Sequence, residues 1–415
     1  MLSLPGLSVT ARRIARMTQP GIQQQENASA SRDVLHGDAD RSAAPRVWLL
    51  TGFRAGDKAQ MLALAEALGW PFTVKRVAYR PYELVTNILL GPNLAGMKRH
   101  ESDALTPPWP DLVISAGRRN EPIARWIKAR SGGRTRLVHL GRPWAESRHF
   151  DLVITTPQYH VQPRDNVLCI AAPLHQVTAT RLGAAAERWR DLVAPLPQPR
   201  IALLVGGSSP PYVFDPEMAA RLGRVASAMA RQSRGSLLVS TSPRTGSAAT
   251  AALRDAIDVP CQFYAWQADP ETNPYLGFLA LADAVIVTGD SMSMVAEACA
   301  TEKPVYLFDM GKGWSRMRAD PPAVPESVPW AEHVRPKRVL HWLIAHCLPR
   351  RVRRDIRRIL RALVANQQAS WLEEESGSDR QQQPLKPSAS TDLPRAVAGV
   401  KALFAIPAER NSAGD

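Results

Sequence analysis

Ala194-Pro-Leu-Pro-Gln-Pro-Arg-Ile-Ala-Leu-Leu-Val-Gly-Gly-Ser-Ser209 joins two halves of the sequence that read alike. Pro195, Pro197 and Pro199 stiffen a connection, and Arg200–Val205 then has the apolar run of a strand buried on both faces. A Gly-Gly-Ser-Ser turn follows, and a helical pattern covers Pro216–Gln232. Further strands are expected downstream at Ser236–Ser240, Cys261–Tyr264, Ala284–Thr288 and Pro304–Phe308. Helices belong between them at about Ser247–Ala256, Pro274–Ala282 and Ser291–Ala300. Upstream of the prolines the same alternation holds, with strands at Val47–Thr51, Phe72–Val77, Asp111–Ser115, Arg136–Leu140, Leu152–Thr155 and Val167–Ile170. Asp57–Leu68 has helical spacing in Met61, Leu62, Ala65 and Leu68; Glu121–Lys128 and Gln176–Val193 read as further helices. Strands that alternate with helices imply parallel sheets covered on both faces. The fold class is therefore α/β, with two Rossmann-like doubly wound domains, the second repeating the architecture of the first, and a cleft between them.

The expected organisation is a disordered leader over residues 1–45, an N-terminal domain over 46–175 and a linker helix with its proline-rich connection over 176–199. A C-terminal domain over 200–334, a basic helical segment over 335–364 and a largely disordered tail over 365–415 complete it. One short closing helix is expected at 395–404. At 415 residues the chain suits two domains with tails. Its apolar fraction of 45% supports a large core, yet no apolar run reaches the length of a membrane-spanning helix. Cys169, Cys261, Cys299 and Cys347 lie far apart without C-x-x-C or zinc spacing, so neither a disulfide framework nor a metal site is expected, and a reducing compartment fits. The first eighteen residues carry arginine and no acid, as transit peptides do. An unstructured leader, with initiation near Met17, is the plainer reading.

Net charge is +14, and Arg335–Arg361 supplies much of it, with Asp355 its one acid. Val339, Leu340, Leu343 and Ile344 in that segment make a contact with anionic lipid one expectation; a solvated helix packed back on the domains is the other. Basic and aromatic residues are not interleaved, so no nucleic-acid partner is expected.

In an open parallel sheet, ligands sit beyond the carboxyl ends of the strands. Three loops at such positions stand out. Thr288-Gly-Asp-Ser-Met-Ser293 opens a helix, so the amides of Ser291, Met292 and Ser293 suit a phosphate, and Glu297 inside that helix suits the cis hydroxyls of a ribose. The alternative is that Asp290 or Ser291 caps the helix and Glu297 is a solvated surface residue. Gly206, Gly207, Ser208 and Ser209 occupy a second turn where glycine permits close approach to an anion, or merely a tight turn. Trp266, at the end of a strand, suits the rim of a nucleobase site or the core. The third loop, Thr51–Asp57, places Gly52, Gly56 and Asp57 at the mouth of the first domain. Asp57 is the candidate general base, with an N-cap as its alternative. Arg118 and Arg119 suit a phosphate or carboxylate of an acceptor, or simply solvent, and His139 and His175 lie near strand ends. There is no G-x-G-x-x-G and no Walker lysine, which weighs against NAD and ATP.

Thr51-Gly-x-x-Ala-Gly-Asp-x-x-Gln60, Ser115-Ala-Gly-Arg-Arg119, Asp151-Leu-Val-Ile-Thr-Thr-Pro-Gln158 and Thr288-Gly-Asp-Ser-x-Ser-Met-x-x-Glu297 together resemble the bacterial branch of the family named after the plant elongated-mitochondria fission protein. That family is similar in turn to GT-B type glycosyltransferases, including the lipid-intermediate N-acetylglucosamine transferase of peptidoglycan synthesis. The resemblance implies a UDP-sugar held by positions matching Gly206, Gly207, Ser208, Ser291, Ser293 and Glu297. Where such transferases often carry a histidine in the first glycine-rich loop, this chain has Asp57.

The resulting expectation is an inverting, metal-independent glycosyltransferase of the cell envelope. A nucleotide-diphosphate sugar would be its co-substrate, with no further cofactor, and the first domain would take a glycan or glycolipid acceptor. It would be cytoplasmic, peripheral on the inner membrane. The plant relatives imply a different role, a non-catalytic membrane adaptor.

Overall fold

A computed structural model describes residues 44–52, 54–80, 91–269, 271–311, 316–318, 354–372 and 391–405. Residues 1–43 of the expected leader and 335–353 of the basic segment lie outside the described residues. The first sheet contains β1 (Val47–Thr51), β2 (Phe72–Arg76), β3 (Leu112–Ala116), β4 (Arg136–Leu140), β5 (Leu152–Thr155) and β6 (Val167–Cys169). All its neighbouring strands are parallel, in the order β2-β1-β3-β4-β5-β6. The second contains β7 (Arg200–Leu204), β8 (Ser236–Ser240), β9 (Cys261–Tyr264), β10 (Ala284–Thr288), β11 (Val305–Phe308) and β12 (Ser370–Trp371). It too is parallel throughout, ordered β12-β11-β10-β7-β8-β9.

The alternation of side chains along a strand explains how one sheet makes two cores. Leu49, Ile114, Val138 and Ile154 face helix α1 (Ala55–Leu68) through Met61 and Leu64, whereas Leu50, Val113, Leu137 and Val153 face helix α2 (Gly117–Arg130) through Ile123 and Ile127. Helix α3 (Ala179–Val193) bridges the lobes. At its start, Arg181 and Gln176 bond Glu66 of α1 at 3.0 and 2.8 Å. Further along, Trp189 lies so close to Gly277 that a Cβ there would meet its ring at 2.5 Å. The second lobe adds α4 (Pro216–Gln232), α5 (Ser247–Asp255), α6 (Tyr275–Leu281) and α7 (Met292–Cys299).

Two expectations fail here. The halves are not copies, because β1 neighbours β2 and β3 in one sheet while β7 neighbours β8 and β10 in the other. The order reverses at a different pair of strands in each. The tail beyond 365 is not structureless throughout, since Ser370–Trp371 adds an edge strand to β11. Two residues paired to an existing edge are too few to register as a strand pattern.

For the basic segment, the described part fits one of the two expectations. Its described part forms helix α8 (Arg357–Ala365), which buries Ile359, Leu360 and Leu363, with Ile356 just before it, in the second lobe's core. Apolar residues three and four apart make one buried face, and the arginines take the other, so this part packs back on the lobe; Val339, Leu340, Leu343 and Ile344, on which the expected lipid contact rests, lie outside the described residues. The closing helix is α9 (Asp392–Ala402), which buries Ala396 and Val400 in the first lobe beside α1. Asp392 accepts the Ala171 N–H at 2.8 Å and fixes its start. Among the described residues, no helix is long and apolar enough to cross a membrane.

Leu360 is fully buried. Leu360→Ala is expected to cost about 2–5 kcal/mol in urea unfolding; a loss under about 0.5 kcal/mol, normal for an exposed site, would mean the helix is not packed as described.

Candidate functional site

In each sheet the order reverses at one crevice: between β1 and β3 in the first, and between β7 and β10 in the second. Helices leave to opposite faces there, so the loops part and leave room for a ligand. The singled-out loops lie at these two places. Thr51–Asp57 follows β1, Gly117–Arg119 follows β3, Gly206–Ser209 follows β7 and Gly289–Ser293 follows β10.

The second lobe's loops are bound to each other. Gly206 N–H donates to Thr288 Oγ1 at 2.8 Å, and Ser242 Oγ, beyond β8, donates to the Gly206 carbonyl. Asp290 is buried and paired with Arg244 at 2.8 Å. Burial raises its pKa, and Arg244 foremost opposes that rise. Asp290 therefore braces the turn and is not a cap. Ser291 is the N-cap residue of α7 but its side chain makes no capping bond. The first intrahelical bond at this end runs from Val295 N–H to Ser291 C=O at 3.0 Å, so the amides before it have no intrahelical acceptor. Met292 offers only its amide, because its side chain is core.

The glycines serve packing more than ligand approach. A Cβ at Gly206 would meet Asp290 Oδ2 at 2.5 Å, and one at Gly207, whose φ is +124°, would meet the Arg244 carbonyl at 2.3 Å. At Gly52 it would strike the Tyr79 hydroxyl at 2.6 Å. The expected reasons for these glycines, room for an anion or an acceptor, give way to room for the protein itself. Gly56 differs in one respect. Its missing Cβ would lie 2.9 Å from Ser293 Oγ, so the first turn of α1 meets the first turn of α7 and the two crevices share one cleft.

Asp57 lies in the first turn of α1, after the N-cap residue Arg54; the N-cap alternative fails because the helix begins two residues earlier than its apolar spacing indicates. A Cβ at Gly117 would lie 3.1 Å from Asp57 Oδ2, which places the carboxylate over the start of α2. Burial raises its pKa, and the Arg54 and Arg354 guanidiniums lower it. Arg118 and Arg119 begin α2 and stack near Trp144 and Tyr79, at 4.9 and 5.6 Å from the ring centres. Arg119 also lines a cavity of about 400 Å³ with Thr51, Arg76, Tyr79 and Glu101. The arginines are therefore not merely solvated.

Glu297 is half-buried and accepts a hydrogen bond from Tyr275. Burial pushes its pKa up to about 7, against the lowering effect of the Tyr275 bond. It is thus neither a solvated residue nor a carboxylate with both oxygens open to a ribose. Ser208 is exposed, its Oγ accepting the Phe214 N–H at 3.0 Å; Ser209 pairs with Tyr212; Trp266 is 41% exposed, open to a base. His139 is fully buried against Ser115 Oγ at 3.0 Å, its pKa lowered by burial to about 4, and does not reach the cleft.

Sequence reasoning did not single out Arg354 or Tyr275. Arg354 was one basic residue among many; Tyr275 carried no motif.

The sequence profile described as Mitochondrial fission ELM1 matches residues 55–320, more than half of the chain. Among curated proteins, the Arabidopsis thaliana mitochondrial fission protein ELM1 is 28% identical over 221 residues, 48% of this chain and 51% of that protein. The chain thus spans about half the length of that relative. An uncharacterized protein of Rickettsia prowazekii is 23% identical over 295 residues, 63% of this chain and 82% of its own. Among solved structures, the S. aureus MnaA–UDP complex aligns at a TM-score of 0.39 and 11% identity, covering 63% of this chain and 78% of that one.

A carboxyl titrating near pH 7 in the fold and near 4.5 when unfolded keeps its proton longer in the native state. Stability should therefore fall as pH rises from about 4.5 to 7 and stay level above. Glu297→Gln should remove this slope and raise the melting temperature at pH 8 more than at pH 5; an equal change at both would contradict the assignment.

Proposed function

The chain belongs to the mitochondrial fission ELM1 family, and from that premise and the cleft we propose that it is a glycosyltransferase using a nucleotide-diphosphate sugar. The observation that carries the reading is the junction of two switch-point crevices where Gly56 meets Ser293. In it, amides that lack an intrahelical acceptor and a desolvated carboxylate occupy the same gap.

The donor's diphosphate would lie against the amide end of α7, where backbone N–H groups and the helix dipole favour negative charge. Its ribose would reach the Glu297 oxygen that Tyr275 does not occupy, and Trp266 would stack on its base. On the first lobe, Asp57 would take the proton of the acceptor hydroxyl as that oxygen attacks the anomeric carbon. The bond from anomeric carbon to diphosphate oxygen breaks in the same displacement and leaves with its electron pair, which inverts the carbon. The amides stabilise the charge that develops on the leaving group, which allows a metal-independent reaction. Arg118 and Arg119 would hold the acceptor, a glycan or glycolipid of the cell envelope. An enzyme of that pathway would act from the cytoplasm, on the surface of the inner membrane.

A second reading is compatible with the family match: a membrane adaptor that keeps the scaffold without the chemistry. Calorimetry with UDP, GDP and UDP-N-acetylglucosamine separates the two. Ser291→Asp supplies a good N-cap and so preserves the helix, but sets a negative charge before the amides. It should weaken nucleotide binding at least tenfold without lowering the apo melting temperature. No heat from the parent protein with any of the three at millimolar concentration would favour the adaptor. Given turnover, Asp57→Asn should lower kcat by about 10²–10⁴ with donor binding intact.

A further inference from the structure

The Thr155-Thr-Pro-Gln158 run plays no part in the scheme above, yet it is where the chain's C-terminal segment meets the first lobe. Gln158 is 2% exposed. Its Nε2 donates to Thr156 Oγ1 at 2.9 Å, and its Oε1 accepts Arg354 Nε at 2.7 Å. Its carbonyl accepts the Asp355 N–H at 2.9 Å. A buried amide satisfied in this way has one orientation, so the direction of the arginine bonded to it is set as well. From the other side the segment is anchored by Ile356 and Ile359 in the second lobe's core. Arg354 is thus fixed between the lobes.

Among the described residues, the Nε bond to Gln158 is the hydrogen bond that Arg354 makes. With respect to the described residues its two terminal amino groups are left as a fork, the shape that binds a phosphate or a diphosphate through two parallel bonds. Asp57, which feels the charge of Arg354, follows Gly56 in the turn that touches Ser293. The Gln158 bond thus holds the cation on the Asp57 side of the cleft. We infer that Arg354, aimed by Gln158, binds the diphosphate of the cleft's ligand. The diphosphate belongs to the donor only if the transferase reading above holds; the anion site does not depend on it. Placed there, the guanidinium would neutralise charge on the leaving group and separate it from Asp57.

The test uses the full chain and calorimetric titration with UDP, uridine and inorganic pyrophosphate. Arg354→Ala should weaken UDP and pyrophosphate by about ten- to a hundredfold and leave uridine unchanged, while Arg354→Lys should recover part of the loss. Arg358→Ala, the same loss of charge one turn away on an exposed side chain, should change none of the three by more than about twofold. Gln158→Leu should weaken UDP and pyrophosphate less than Arg354→Ala does. UDP bound as tightly by Arg354→Ala as by the parent, at an unchanged melting temperature, overturns the inference and leaves the donor reading standing. Equal losses from Arg354→Ala and Arg358→Ala also overturn it, since they mark a diffuse field. Pyrophosphate bound without any nucleotide, and lost in Arg354→Ala, upholds the anion site and overturns the donor reading. A parent that binds neither overturns both.

Discussion

The contact between Gly56 and Ser293 is the constraint on which the site depends. Two parallel sheets each open a crevice where strand order reverses, but separate crevices would bind separate ligands. With no side chain on Gly56, the first turn of α1 comes within van der Waals reach of the first turn of α7, and the two openings become one cleft. A methyl group there would meet the Ser293 hydroxyl at 2.9 Å, which would have to turn away.

Around that contact the protein spends its buried polar groups on holding loops. Asp290 with Arg244 and Thr288 with Gly206 lock the β7 and β10 turns together. Asn120 bonds the Leu50 and Ala116 carbonyls, and the Tyr79 hydroxyl bonds Asn120. A buried amide is costly unless its bonds are met, and those of Asn120 are met by carbonyls at the strand ends. The loops gain a fixed shape from groups that a ligand need never touch.

The C-terminal segment has a comparable role on a larger scale. Helix α8 completes the second lobe's core, Gln158 receives Arg354 from the segment just before it, and α9 closes over the first sheet. Helix α3 and the Arg354–Gln158 bond each tie one lobe to the other. A segment whose charge suggested an encounter with lipid is, where described, part of the scaffold.

Sequence alone determined the fold class, because side-chain periodicity and strand length reflect local geometry: Arg136–Leu140, Pro216–Gln232 and Ala284–Thr288 need no tertiary information to be located. It also located the loops at the two crevices, since glycine and serine between a strand and a helix signal a strand-end turn in any α/β chain. Tertiary structure alone decided what those residues do there. Gly52, Gly206 and Gly207 make room for Tyr79, Asp290 and Arg244, partners far away in the chain. Glu297 owes its environment to Tyr275, and Arg354 its direction to a glutamine nearly two hundred residues upstream. Strand order was equally out of reach, because the pattern that marks a strand says nothing of its neighbours, and it is strand order that placed the two crevices.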